Sequence, residues 1–422
     1  MAVFSALNSA QASGVKAVAE LAQSAGVKEC LQFFAREKRW IDEQHLALSH
    51  IPAPTFLEQK RAEWMAAQFR AFGYDAKIDR AGNVTAAPPN RKDGPFIALT
   101  AHLDTVLAPR NPEEIRVERD GKFYGPGVSD NGAGLAALMA VGKALAGSPI
   151  LTDGNATVLF VANVGEEGEG NLSGMRFLCR QSGLAPKIRA FVVLDGPTLE
   201  HITSEALASR RFELSFTGPG GHSWSDYGVG NPVHALSRAI AWFADHPLAA
   251  SLEGPRSSFN FGVIDGGSSI NSIPTIARAK VDIRSEKAER LEELAGLLAV
   301  SVERALAAEN ERATGGRISG KAKEIGSRPG GRLSEDAEIL GFVRAVDQHL
   351  GIRSHLDCAS TDANIPLSMG LPAVSIGAGG NGGGAHTPGE WFHPEGRELG
   401  LRRILLTLCL LMRSADPVKS GE

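Results

Sequence analysis

Phe96-Ile97-Ala98-Leu99-Thr100-Ala101-His102-Leu103-Asp104-Thr105-Val106 is the stretch on which the reading of this chain turns. Its first half is an apolar run of strand length. It ends on a histidine with a carboxylate two residues further on. Alternation along a strand sets residues i and i+2 on one face, so His102 and Asp104 point the same way. A metal-bound imidazole usually has its second ring nitrogen fixed by a carboxylate or a carbonyl. His102 therefore reads as a metal ligand with Asp104 holding it. A single His-x-Asp after a strand is common, and the reading gains force only from what stands at other strand ends.

Three further apolar runs end in the same manner. Ala156–Val164 is a buried-strand pattern that runs into Gly165-Glu166-Glu167-Gly168. Those two acids are either a solvated turn or part of a site. Ala190–Leu194 ends on Asp195, and Pro372–Ile376 leads through glycines to Ala385-His386-Thr387-Pro388. Asp130 precedes a small-residue apolar helix from Leu135 to Leu145, where a carboxylate suits a plain N-cap as well as a ligand. In an α/β sheet the ligand crevice lies outside the carboxyl ends of the strands. His102, Asp130, Glu166, Glu167, Asp195 and His386 can converge there as a mixed nitrogen and oxygen set suited to zinc or a similar divalent ion.

The intervening segment follows a different pattern. Strands are expected at 210–217, 258–264, 277–283 and 317–325, with helices at 233–243 and 286–307. That βαββαβ order is a split ferredoxin-like unit. The domains are expected at 1–208 and 328–422 for the catalytic part and 209–327 for the insertion. Residues 1–47 read as helical, and a further helix fits Glu58 to Phe72.

The chain has 422 residues, with 43% hydrophobic and 22% charged, as in an ordinary globular protein. A formal net charge of -4 implies no broad basic surface, which speaks against a nucleic-acid partner. Cys30, Cys179, Cys358 and Cys409 form no C-x-x-C pair, so neither a zinc knuckle nor a disulfide framework is expected. The first residues lack a basic region followed by a long apolar one, and no run reaches the length of a membrane span. A cytoplasmic protein without a membrane partner is the expectation.

In combination, the order His-x-Asp, Gly-x-Gly-x-x-Asp-Asn, Glu-Glu, Asp and a late His around an inserted ferredoxin-like domain resembles the co-catalytic di-zinc exopeptidases. That family includes peptidase T, carnosinase, the aminoacylases and the desuccinylase of lysine synthesis. The resemblance covers nearly the whole chain. It implies an α/β fold: a mixed-sheet zinc-peptidase catalytic domain carrying an inserted ferredoxin-like α+β domain for dimerisation, or a lid. It implies two divalent metal ions, zinc with cobalt or manganese as alternatives. His102 and Asp195 would bind one, Glu167 and His386 the other, and Asp130 both. Asp104 would orient His102, and Glu166 would be the general base; the division of labour between Glu166 and Glu167 comes from the resemblance alone. His222, in Gly220-Gly221-His222-Ser223, matches a histidine that stabilises the oxyanion, often reaching across from a dimer mate. Asn271 and Arg284 match substrate-contacting positions in some members. They also fit a turn-capping amide and a surface ion pair.

Asp rather than Glu at position 195 goes, within that family, more with aminopeptidases and dipeptidases. Ser360-Thr361-Asp362-Ala363-Asn364 resembles a stretch of peptidase T-like members; it lines the substrate pocket or is a helix N-terminus with Thr361 or Asp362 capping. The expectation is a metal-dependent exopeptidase that releases an N-terminal residue from a small peptide, working as a homodimer through the inserted domain. The alternative is an amidohydrolase or deacylase of N-acyl or N-carbamoyl amino acids with the same site. The long glycine loop before His386 and the N-terminal helical region depart from the family pattern.

Overall fold

The computed structural model describes residues 14–414 except Lys92 and Leu252. The chain divides into two compact units, residues 1–205 with 331–422, and residues 206–330. The expected N-terminal helix lies outside the described residues over 1–13. Residues 14–23 are helical, followed by the helices Ala25–Arg36 and Lys38–Ser49.

The first unit is built on a nine-stranded mixed sheet. Its centre is four parallel strands, Thr157–Asn163, Phe96–His102, Ile188–Leu194 and Ala373–Ile376, side by side in that order. All seven residues of each of the first two are buried. Burial on both faces explains why these segments read as unbroken apolar runs rather than alternating ones. Antiparallel strands extend the sheet on both sides, Val84–Ala87 and Asp75–Ile78 on one and His201–Ala206 on the other. The helices Gly132–Leu145 and Arg397–Arg413 both pack against the Phe96–His102 strand. The first is small-residued because it must lie close. A β-carbon at Gly132 would stand 2.5 Å from the Gly127 carbonyl oxygen and 2.8 Å from the His45 ring.

Parallel register brings the loops that follow these strands to one edge. His102 pairs with Asn163 across the sheet, and the Asp195 amide donates to the Ile376 carbonyl at 3.2 Å. The same unit holds a second, four-stranded sheet. It joins Asn381–Gly383, Trp391–His393, Phe123–Tyr124 and Arg116–Val117. The sequence shows only a glycine loop before His386 here and no strand pattern at any of the four. Strands of two or three residues show no periodicity, and the central pair joins residues far apart in the chain, so local pattern could not reveal them.

The second unit has four antiparallel strands in the order Ser257–Gly266, Ile276–Ser285, Ala208–Thr217, Ser319–Arg328. The helices Pro232–Ala244 and Ala288–Arg312 pack with it. Phe212, Leu214 and Phe216 alternate into its core with Val281, Ile283, Phe243 and Leu298. This connectivity and strand order is the split βαβ arrangement.

Candidate metal centre

His102 closes the Phe96–His102 strand and is buried. Its Nδ1 lies 2.9 Å from the main-chain carbonyl oxygen of Asp104. A carbonyl only accepts, so Nδ1 carries a proton and donates it. In the neutral ring the Nε2 lone pair then faces Asp130 Oδ1 at 3.1 Å. Asp195 Oδ1 stands 4.0 Å from the same nitrogen. A lone pair aimed at a carboxylate is repulsive unless a cation, a proton or a metal, sits between them.

Asp104 orients His102 through its main chain more than its side chain. Its carboxylate is 3.6 Å from Nδ1 and is engaged elsewhere. Oδ1 accepts the Glu166 amide and Oδ2 the Glu167 amide, both at 2.9 Å. Glu166 and Glu167 are themselves buried, so the solvated-turn alternative does not apply.

Asn131, not Asp130, caps the helix Gly132–Leu145, accepting the Gly134 amide on its side chain. The Asp130 carboxylate is therefore available to the site. Its Oδ1 meets His102, and its Oδ2 meets His386 Nε2 at 3.1 Å. His386 Nε2 also lies 2.9 Å from Glu167 Oε1. His386 holds the left-handed backbone region at φ 64°, which costs a non-glycine residue about 1 kcal/mol. Asp130 thus divides its two oxygens between two imidazoles. Ligand atoms of His102, Asp130 and Glu167 all lie within 4.8 Å of one another.

The charge balance of the cluster calls for a cation. Burial and the charge of Asp130 push Asp195 up to about 7, and Asp362 and Glu167 push in the same direction. Hydrogen bonds to Asp130 and Glu167 hold His386 up to about 10. Burial works against a charged His102, but its bonds to Asp104 and Asp130 raise it well above the ordinary histidine value. Two imidazole nitrogens, a carboxylate with one oxygen toward each, and flanking acids fit a pair of divalent cations.

Two supporting residues carried no readable signal. Glu390 is buried, and its carboxylate accepts three amides, Gly127 at 2.8 Å, Ser129 at 2.7 Å and Asp130 at 2.8 Å. It anchors the loop that bears Asp130, and its one trace in the sequence is an acid four places after His386. His45 is fully buried. It touches the Val128 carbonyl with Nε2 and Arg397 with Nδ1, each at 2.6 Å.

Asp362 is buried beside this group. Its Oδ2 accepts from the Asn163 side-chain Nδ2 at 2.6 Å, and its charge acts on Asp195. Thr361 Oγ1 accepts the Ala363 main-chain amide at 3.2 Å. The other three predicted residues belong to the second unit. His222 is exposed at the end of the two-residue strand Gly221–His222, paired with Ser272, and its Nδ1 accepts the Trp224 amide at 3.2 Å. The Ser223 amide donates to the Asn271 carbonyl at 2.9 Å, which brings those two loops together. Arg284 does not join them. It sits at the far end of the Ile276–Ser285 strand, about 25 Å away by strand rise, with its Nε 2.6 Å from Asp282.

Peptidase family M20/M25/M40 matches residues 98–408, and the chain belongs to that family. A probable carboxypeptidase of Aspergillus terreus is 32% identical over 213 residues, 48% of this chain and 47% of that protein, so the chain spans about half of that relative's length. A succinyl-diaminopimelate desuccinylase of Bradyrhizobium is 25% identical over 307 residues, 68% of this chain and 75% of that protein. Among solved structures, a tripeptidase of Staphylococcus aureus superposes with TM-score 0.67 at 20% identity, covering 89% of this chain and 98% of that one. Among the described residues no helix is long and apolar enough to cross a membrane.

Proposed function

We propose that this family member is a metal-dependent exopeptidase that releases the N-terminal residue of small peptides. The observation that carries the reading is Asp130, whose two carboxylate oxygens meet two different histidines. Asp130 would be shared by both ions, His102 and Asp195 would hold one, and Glu167 and His386 the other. Two divalent cations, zinc first among them, would supply a low-pKa water and polarise the scissile carbonyl.

Glu166 accepts the proton of the attacking water and returns it to the leaving amine, a role worth about 10²–10⁴ in rate. Its main-chain amide is fixed on Asp104, so its side chain starts from a set position. Asp362, buried and acidic, is suited to receive the substrate ammonium. His222 is assigned to the oxyanion, supplied by a second copy of this chain in a homodimer through the inserted unit. A protein that sediments only as a monomer at working concentration would remove that assignment.

A second reading, hydrolysis of N-acyl or N-carbamoyl amino acids, is favoured by the desuccinylase relative. One screen separates the two. Metal-reconstituted protein is offered free di- and tripeptides beside N-acetyl, N-succinyl and N-carbamoyl amino acids, with Glu166→Gln as control. Turnover of free peptides, reduced at least about 100-fold in the control, supports the exopeptidase. Turnover of blocked substrates alone replaces it with the deacylase. Equal activity of Glu166→Gln removes the assigned base from both.

A further inference from the structure

Residues 51–61 lie ahead of the stretch matched to the family, and the sequence offers no motif there. In the fold they clamp the two strand ends that carry the site. Ala53 accepts the Thr105 amide at 3.0 Å. Arg61 is fully buried and donates from Nη1 to the Leu103 carbonyl at 2.7 Å, between His102 and Asp104. Its Nε and Nη2 reach back to the Ile51 carbonyl at 3.1 and 2.6 Å. Glu58 accepts the Gly165 amide at 3.1 Å, one residue before the acidic pair.

Thr55 makes the contact nearest the chemistry. Its hydroxyl donates to Asp104 Oδ2 at 2.9 Å, the same oxygen that accepts the Glu167 amide. Its methyl group packs so tightly on the acidic loop that a β-carbon at Gly170 would stand 2.7 Å away. A carboxylate with three donors is held in one rotamer. Remove the hydroxyl, and Asp104 Oδ2 loses one of its two donors, which loosens the carboxylate that fixes the Glu166 and Glu167 amides.

We infer that Thr55 is a positioning residue for the metal centre, acting through Asp104 on the placement of the general base and of the Glu167 ligand. The inference rests on the reading of these residues as a metal centre. Loss of an outer partner of this kind typically costs 10–100-fold in metal affinity or activity.

The test uses the full chain with cobalt(II) as probe. Affinity and stoichiometry come from calorimetric titration, and ligand geometry from the visible absorption of the bound ion. Thr55 is only part-buried, and Thr55→Val keeps its shape, so the variant tests the hydroxyl alone. The expected result is cobalt binding weakened about 10- to 100-fold at one of two sites with a changed spectrum, and recovery to within about threefold in Thr55→Ser. Thr55→Val that binds and absorbs like the parent overturns the inference. So does a loss confined to the melting temperature of the metal-free protein, because a merely structural hydroxyl would produce that. A parent protein that binds no cobalt overturns the metal centre itself, and is told apart by being seen before any substitution.

Discussion

His45 makes this protein sensitive to acid, and the size of the effect follows from its contacts. The ring is fully buried. Arg397 donates to Nδ1, so Nδ1 must be an acceptor, and Nε2–H donates to the Val128 carbonyl. Burial first, and the Arg397 charge second, hold the ring well below the ordinary histidine value. Protonation would set an N–H against the guanidinium. As pH falls below about 6.5, the unfolded chain binds a proton there that the native chain refuses. Stability therefore falls with falling pH, by about 1.4 kcal/mol per unit well below that value, and by about 1.4 kcal/mol in total at pH 5.5. His45→Gln can donate to Val128 and accept from Arg397 without titrating. The assay is urea unfolding of metal-free parent and variant from pH 7.5 to 5.5. His102 and His386, which are raised and so stabilise the fold toward low pH, are present in both proteins and cancel in the difference. The gap should move in the variant's favour by about 1.4 kcal/mol across that range. A difference that does not change with pH would refute the reasoning.

Other consequences concern the centre itself. Glu390→Gln can keep its oxygen on Ser129 and Asp130 but must turn an NH₂ toward the Gly127 amide. Losing one bond to a charged group costs about 1.5–3 kcal/mol, so a lower melting temperature and weaker metal binding are expected, read by calorimetry. At pH 7 the metal-free site holds protons on both His102 and His386. Loading divalent metal should release about two to three protons, about half of one coming from Asp195, which is raised to about 7, measured by titration in buffers of different ionisation enthalpy; no release would mean the histidines are not ligands. Chelation should lower the melting temperature, since an ion at 100 times its dissociation constant stabilises by about 2.7 kcal/mol.

The parallel core was readable because its strands are buried on both faces. Continuous apolar runs such as Phe96–His102 and Thr157–Asn163 announce themselves. The acids and histidines that end them were readable because such folds place ligands beyond the carboxyl edge. The inserted unit showed through the alternation at Phe212, Leu214 and Phe216. Roles within the site were less accessible. Spacing alone could not choose between Asp130 as a cap and Asp130 as a ligand; the neighbouring Asn131 takes the cap and leaves Asp130 to the histidines.

What the sequence determined by itself was therefore chemistry and local shape: which residues could ligate, and which segments must be buried. Tertiary structure alone decided which backbone each carboxylate holds. Thr55 reaches Asp104 across 49 positions, and Glu390 reaches the Asp130 amide across 260. A hydrogen bond of that kind needs two groups within about 3 Å, and neither residue carries a local pattern naming its partner. Such pairs exist only after the apolar strands have packed and brought their ends to one edge.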